Sequence, residues 1–518
     1  MKKALGREIP ASIPGYKDSI PYAGAFATRP PLGQRTYGRL SKAVYPYDSG
    51  KVLDSIEQAI EASGLKNGMT VSFHHALRNG DYVMNMVMQA IQRRGIKGLT
   101  LAPSSFLNSN DELIPLFKDG TITAAQTSGL RGELGRFMTM NKLTKPTILR
   151  PHGGRARAIE NGELRIDVMF MAAPTADTYG NVTGVLGPAA CGSLGYAMVD
   201  AAHADTVIAI TDNLVDHPLC PVSIPQYLVD YVVKVDAIGD PKGISTGALR
   251  GSKNPRDLIM AKMAAKIVEH AGYFKDGFAM QLGAGAASVS TGLYLRELML
   301  RDKITAGMAI GGVVGVFCDL LDEGLIRTLF DTQSFDDRTI QSLRDNPRHQ
   351  EYDAGNYASP WNKGAMVNKV DYVILGATEV DVNFNVNVLT DSNGIMMGAL
   401  GGHPDAAAGS KCTIITAPLL RGRLPMITDS VQTVSTPGET VDVIVTDRGV
   451  AINPKRQDLI DNLKGTGLPI KSIEELRDMA YELSGEKPEP LRLSDQITGV
   501  IEYRDGTVLD VIRSPVPA

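Results

Sequence analysis

Cysteine is scarce in this chain. Cys191, Cys220, Cys318 and Cys412 are scattered over 518 residues and form no C-x-x-C pair. That spacing argues against structural zinc and fits a reducing compartment. Long apolar runs are absent too. The least polar stretch, residues 307–318, stops at Asp319, short of the roughly 20 apolar residues that cross a bilayer. Two lysines near the start are followed by no apolar run, so no secretory signal is read there. No block of Lys or Arg stands out and the net charge is −4, which makes nucleic acid a poor partner. These absences leave a cytoplasmic enzyme or enzyme subunit with no membrane attachment.

Several catalytic signatures are missing or out of context. No G-x-x-x-x-G-K-S/T occurs, so a P-loop is excluded. Gly243-Ile-Ser-Thr-Gly247 has the G-x-S-x-G spacing, but turn chemistry precedes it where a strand is required. Gly283-Ala-Gly285-Ala-Ala-Ser288 lacks the third glycine of a dinucleotide loop. His74-His75 has no third ligand at motif spacing, so no metal is expected. Neighbours at a strand end point in opposite directions, which predicts one buried imidazole and one facing a pocket.

What the chain does have is glycine, 53 copies, set singly or in pairs at the ends of apolar runs. Apolar residues make up 43% and charged residues 21%, an ordinary globular balance. Residues 1–48 lack periodicity and read as an extension that wraps a neighbouring domain or subunit, or as a partly disordered arm. Strand and helix patterns then alternate. Strands are expected near residues 69–73, 99–102, 121–125, 167–172 and 207–211. A helix carries Val83, Met84, Val87 and Ile91 behind an Asp81 cap. The pattern restarts near residue 250, where Asn254-Pro255 opens a helix. SGLKNGMTVSF (63–73) and AGYFKDGFAMQLGAG (271–285) form a weak internal repeat. The expected architecture is α/β, with mostly parallel sheets: a first domain over 49–250 and a second over 251–518. Asp505-Gly506 marks a hairpin, so the second domain is expected to end in antiparallel strands.

Four longer stretches carry chemistry. One is a strand running into a Pro/Asp/Gly turn at residues 167–181. A second is the strand and Gly turn at 279–288. A third is Met397-Gly398-Ala-Leu-Gly401-Gly402-His403-Pro404-Asp405, continuing to Lys411. The last is a buried-type strand with a charged tip at 442–451. In this order and spacing they resemble the CoA-transferase family. FHHALRNGD (73–81), PHGGRARAIENGELRIDV (151–168) and GALGGHPDAAAGSK (398–411) carry a closer similarity to the α subunits of citrate lyases. The resemblance implies two tandem three-layer α/β domains of CoA-transferase type with the site at their interface. It implies acyl transfer from an acetyl thioester, on CoA or on an acyl carrier protein, to citrate. It also implies a β subunit and a small acyl carrier (γ) subunit as partners in an oligomeric complex, and no tightly bound cofactor.

One departure shapes the mechanism. Thioester-forming CoA-transferases carry a catalytic Glu at a position that falls here at Gly311-Gly312, with no carboxylate. A covalent glutamyl thioester is therefore not expected, and the smaller residues are expected to leave room for a bulkier acceptor. Citrate brings its own ionised carboxylates and needs no general base. The protein's part becomes positioning and oxyanion stabilisation. By the same resemblance the backbone N–H groups of Ala284, Gly401 and Gly402 are the oxyanion donors. Gly283, Gly285, Gly311, Gly312 and His403 line the substrate. His74 and His75, at the strand end beside Arg78, are further candidate substrate contacts. Arg78 and Arg155 are the candidate carboxylate forks, each with an ion pair as its structural alternative. The rival readings are a hydrolase or another acetyl-CoA transferase on this fold, with citramalate, acetate or 4-hydroxybutyrate as acceptor, and a non-catalytic scaffold.

Overall fold

A computed structural model describes residues 2–27, 50–140, 143–245, 252–283 and 285–516. The expected domain junction near residue 250, residues 28–48 of the arm, and Ala284 lie outside the described residues.

Two large sheets organise the chain. The first runs, in spatial order, Val508–Pro515, Leu493–Glu502, Thr147–Leu149, Ile122–Thr127, Leu99–Leu101, Thr70–Ser72, Val168–Ala172, Thr206–Thr211, Tyr231–Lys234 and Val52–Leu53. The second runs His349–Glu351, Ile326–Ser334, Ala306–Val313, Ala279–Leu282, Tyr372–Gly376, Cys412–Thr416, Val443–Thr446 and Gly449–Ile452. Pairing is parallel throughout except within the terminal hairpin of each sheet. Numbered from Thr70–Ser72 in one and Ala279–Leu282 in the other, both cores have strand order 4-3-2-1-5-6-7. The two similar segments read in the sequence therefore supply the founding strand of each sheet. The likeness reaches into a loop: Asp177 accepts from the backbone and side-chain N–H groups of Asn181, and Asp381 does the same for Asn385.

Burial explains the layering. In the second sheet Tyr372 and Ile374 pack in one core with Met260, Leu295 and Phe317, while Val373 and Leu375 pack in another with Tyr357, Ala406 and Leu476. Side chains of period two thus bury both faces under helices, and three layers result. Asp81 accepts from the Met84 N–H at 3.0 Å, and Asn254 from the Arg256 N–H at 3.0 Å, so both expected helix starts form. Among the described residues no helix is long and apolar enough to cross a membrane.

The C-terminal hairpin corrects one expectation. Leu493–Glu502 pairs in parallel with Thr147–Leu149, so the antiparallel end completes the first sheet and not the second. The reason lies in charge as well as in ladder bonds. Glu502 is fully buried and accepts from Arg150 at 2.6 Å, with Arg157 3.7 Å away. The described part of the N-terminal segment covers this hairpin: Ile9, Ile13 and Tyr22 are buried in the same core, and the Tyr22 N–H donates to the Val508 carbonyl at 2.8 Å.

Candidate active site

Each sheet reverses its strand order at its founding strand, and ligands of open α/β sheets bind beyond the carboxyl ends at such points. Here the two reversal points face one cleft. His75 and Arg78 follow Thr70–Ser72, Gly283 follows Ala279–Leu282, and all three line a cavity of about 490 Å³.

The glycine-rich loop of the second half closes this cleft against the first half. The Leu130 N–H donates to the Gly398 carbonyl at 3.0 Å, the Leu400 N–H to the Ser128 carbonyl at 2.8 Å, and the His152 N–H to the Gly401 carbonyl at 2.8 Å. Side chains would prevent this approach: a Cβ on Gly129 would lie 2.2 Å from that of Ala399. Asp405, on the helix that follows, accepts from the Gly153 N–H at 2.9 Å and so caps the helix His152–Glu160 across the interface.

Two cations enter the cleft without partners. Arg78 and Arg131 both line it, and among the described residues neither guanidinium makes a hydrogen bond or ion pair. Burial, and then the neighbouring Arg131, pulls Arg78 down to about 10, so it stays charged at neutral pH. Burial also lowers Arg131. Arg78 has φ +53, a left-handed backbone that costs a non-glycine residue about 1–2 kcal/mol. Its guanidinium lies over the Phe335 ring, 5.1 Å from the centroid. Gly312 makes room for that ring, since a Cβ there would meet it at 2.3 Å. This corrects the expectation of spare volume: Phe335 occupies the space beside Gly312, and Gln281 lies 2.9 Å from where a Gly311 Cβ would be. Gly312 lines the cleft and Gly311 does not. Asp257 is the one carboxylate among the described lining residues, and it accepts from the Ser252 hydroxyl at 2.6 Å.

The backbone donors divide. Gly401 and Gly402 line the cleft, and neither N–H has an acceptor among the described residues. Gly402 cannot carry a side chain, because a Cβ would lie 2.2 Å from the Tyr357 hydroxyl. Gly283 lines the cleft but its N–H is spent on the Ile374 carbonyl at 2.7 Å. Gly285 lies at the N-terminus of the 17-residue helix Ala286–Asp302, whose first residues face the same space.

Of the histidines, His74 bonds the Ala172 carbonyl through Nε2 at 3.2 Å and does not line the cleft. Burial holds it at about 4. His75 lines the cleft, with its Nδ1 2.5 Å from the Ser104 hydroxyl. Burial and four neighbouring basic groups, His152, Arg78, His74 and Arg131, push it well below the usual imidazole range. So the adjacent pair splits into one residue facing the sheet and one facing the site. His403 lines the cleft, but both ring nitrogens are engaged, with the Thr436 hydroxyl at 2.7 Å and the Gly376 carbonyl at 3.0 Å. It braces the loop. Arg155 is a correction: its guanidinium is locked on Asp200 by two bonds of 2.7 Å and does not reach the cleft.

Residues that sequence reasoning passed over complete the lining. Arg131 opens no motif and stands just before the helix Gly132–Met140. His152 packs tilted against Tyr196 with ring centroids 4.3 Å apart, and His75 stacks on Tyr196 at 5.1 Å. Only His152 had a signal, as the first residue of the HGGR segment that also carries Arg155. Among the described residues no group of three His, Cys, Asp or Glu is placed to hold a metal ion.

The family model for citrate lyase, alpha subunit (CitF), matches residues 49–515. The citrate lyase alpha chain of Klebsiella pneumoniae is 49% identical over 493 residues, 95% of each chain. A protein assigned as a citrate lyase alpha subunit from Streptococcus mutans, solved in complex with citrate, superposes with a TM-score of 0.91 at 46% identity, covering 99% of each chain. The alpha subunit of a malonate decarboxylase from Acinetobacter baumannii shares the fold, with a TM-score of 0.62 at 15% identity over 85% of this chain and 91% of its own.

Proposed function

The chain belongs to the citrate lyase alpha-subunit family, and on that premise we propose that its cleft moves an acyl group from an acetyl thioester to citrate. The observation that carries this reading is the pair Arg78 and Arg131, two cations with no hydrogen-bond or ion-pair partner among the described residues, in a cleft that also holds unspent backbone N–H groups. A tricarboxylate supplies the missing anions, and guanidinium forks suit carboxylates. One citrate carboxylate, left free of the arginines, attacks the acetyl carbonyl. A C–O bond forms, the carbonyl electron pair moves to oxygen, and the N–H groups of Gly401 and Gly402 receive that charge. Collapse breaks the C–S bond and leaves a mixed acetyl–citryl anhydride and a thiolate. The thiolate then attacks the citryl carbonyl, and acetate leaves.

The thioester is carried by CoA or by the CoA-derived arm of an acyl carrier subunit, and a separate β subunit cleaves the citryl thioester in the assembled lyase. Water is disfavoured as acceptor. Hydrolysis needs a base, and burial holds the His152 imidazole at about 3, too weak to take a proton near neutral pH. The test is to incubate the purified chain with acetyl-CoA and citrate, follow citryl-CoA and acetate, and treat the mixture with hydroxylamine. Citryl-CoA with no acyl group on the protein is expected. An acyl adduct on Asp257 overturns the direct attack, and acetate release without citryl-CoA overturns the transferase.

A further inference from the structure

We infer that His152 is a catalytic residue of this cleft, a neutral imidazole whose Nε2–H joins the backbone N–H of Gly401 in holding the oxyanion of the tetrahedral intermediate. The inference rests on the acyl transfer proposed above and adds to it a side-chain donor.

Geometry argues for the placement. The His152 backbone N–H donates to the Gly401 carbonyl at 2.8 Å, which ties the two residues together across the domain interface. An ideal Cβ on Gly401 would lie 3.7 Å from His152 Nε2, so that ring nitrogen stands beside the peptide whose own N–H has no acceptor among the described residues. The ring is held from one side by Tyr196, at 4.3 Å between centroids, and from farther off by His75, at 5.9 Å. A ring clamped in this way loses little freedom when it makes its hydrogen bond, the condition for a preorganised donor.

The tautomer follows from the partners. Nδ1 is buried and has no hydrogen-bond partner among the described residues. A proton placed there would be an orphaned buried N–H, which native structures rarely hold. The proton therefore belongs on Nε2, the nitrogen that opens on the cleft. Burial and the Arg155 guanidinium keep the ring neutral. A neutral imidazole gives a hydrogen bond to developing negative charge without pairing permanently with a citrate carboxylate. It stabilises the transition state more than the bound ground state, and only such differential contacts raise kcat.

The experiment compares His152→Phe, which keeps a flat ring for the stack, with His152→Gln, which keeps an N–H donor, in acetyl-CoA-to-citrate exchange by the full chain. Citrate binding is measured in parallel by calorimetry. His152→Phe is expected to lose about 10²–10³-fold in kcat, the loss typical of one oxyanion donor, with citrate Kd within about twofold of the parent. His152→Gln is expected to recover part of the rate. A His152→Phe chain within about fivefold of parental kcat overturns the inference. So does a loss that falls on citrate Kd with kcat preserved, or a His152→Gln chain that binds citrate normally yet is no faster than His152→Phe. If the phenylalanine chain does not fold, the glutamine chain decides, by whether it binds citrate and still turns over. The parent chain separates the two readings: no exchange by the parent overturns the transferase itself, whereas parental exchange with an indifferent His152 overturns only this assignment.

Discussion

Arg78 and Arg131 define the site because of what they lack. Long cationic side chains that are largely enclosed ordinarily find carboxylates, as Arg155 finds Asp200 and Arg150 finds Glu502. Two guanidiniums left unmatched repel each other, and Arg78 also carries the cost of a left-handed backbone. A bound polyanion relieves the repulsion. Replacing Arg131 with Gln is expected to raise the citrate Kd about ten- to hundredfold, the effect of removing a hydrogen bond to a charged group at about 1.5–3 kcal/mol. Calorimetry with citrate measures it, and an unchanged Kd would remove Arg131 from the substrate site. Of this pair only Arg78 was legible in the sequence, as part of FHHALRNGD. Arg131 belongs to an ordinary helix start, and its role comes from the neighbours the fold brings to it.

At the level of elements, the loop through residues 398–402 matters more than any one side chain on it. Its carbonyls and N–H groups stitch the second half to residues 128–130 and 152 of the first. Glycine on both sides lets the backbones meet. Substituting Gly129 by Ala forces its Cβ against Ala399, and overpacking of this kind costs roughly 1–3 kcal/mol. The expected result is a lower unfolding midpoint together with a fall in acyl exchange, because the same strain displaces the backbone N–H groups of Gly401 and Gly402 proposed above as oxyanion donors. Differential scanning and the exchange assay, run on one preparation, check both arms. A Gly129→Ala chain with parental values in both would show that the interface adapts. The glycine pairs were visible in the sequence, but the reason for them was not: sequence spacing carries no record of which other backbone comes within contact distance.

Across the whole molecule, the last strands of the chain belong to its first sheet. Glu502 anchors them. Burial drives its carboxyl upward, but the combined charges of Arg150, Lys17 and Arg157 outweigh that and leave it at about 2. The folded value lies below the ordinary one, so the stabilisation is full above about 4.5 and is lost as pH falls through about 2. Glu502→Gln leaves the buried Arg150 without a carboxylate, while Arg157 keeps Glu163, and is expected to cost about 3–5 kcal/mol at neutral pH. The gap from the parent should narrow on acidification towards pH 2. Denaturant unfolding at pH 7 and pH 3 tests this, and a gap that widens at low pH would contradict it.

Local pattern was enough to reveal the alternation of strands and helices, the paired founding segments and the hairpin at Asp505-Gly506. These are properties of neighbouring residues, and backbone periodicity and turn chemistry act over a few positions. Which sheet receives the hairpin, which arginine is free, which histidine faces the cleft and what fills the space beside Gly312 depend on contacts between residues far apart in the chain. Sequence pattern favoured Arg155 over Arg131 as a carboxylate fork. One meets a carboxylate 45 positions away and the other meets none among the described residues, and that difference exists only once the chain has folded.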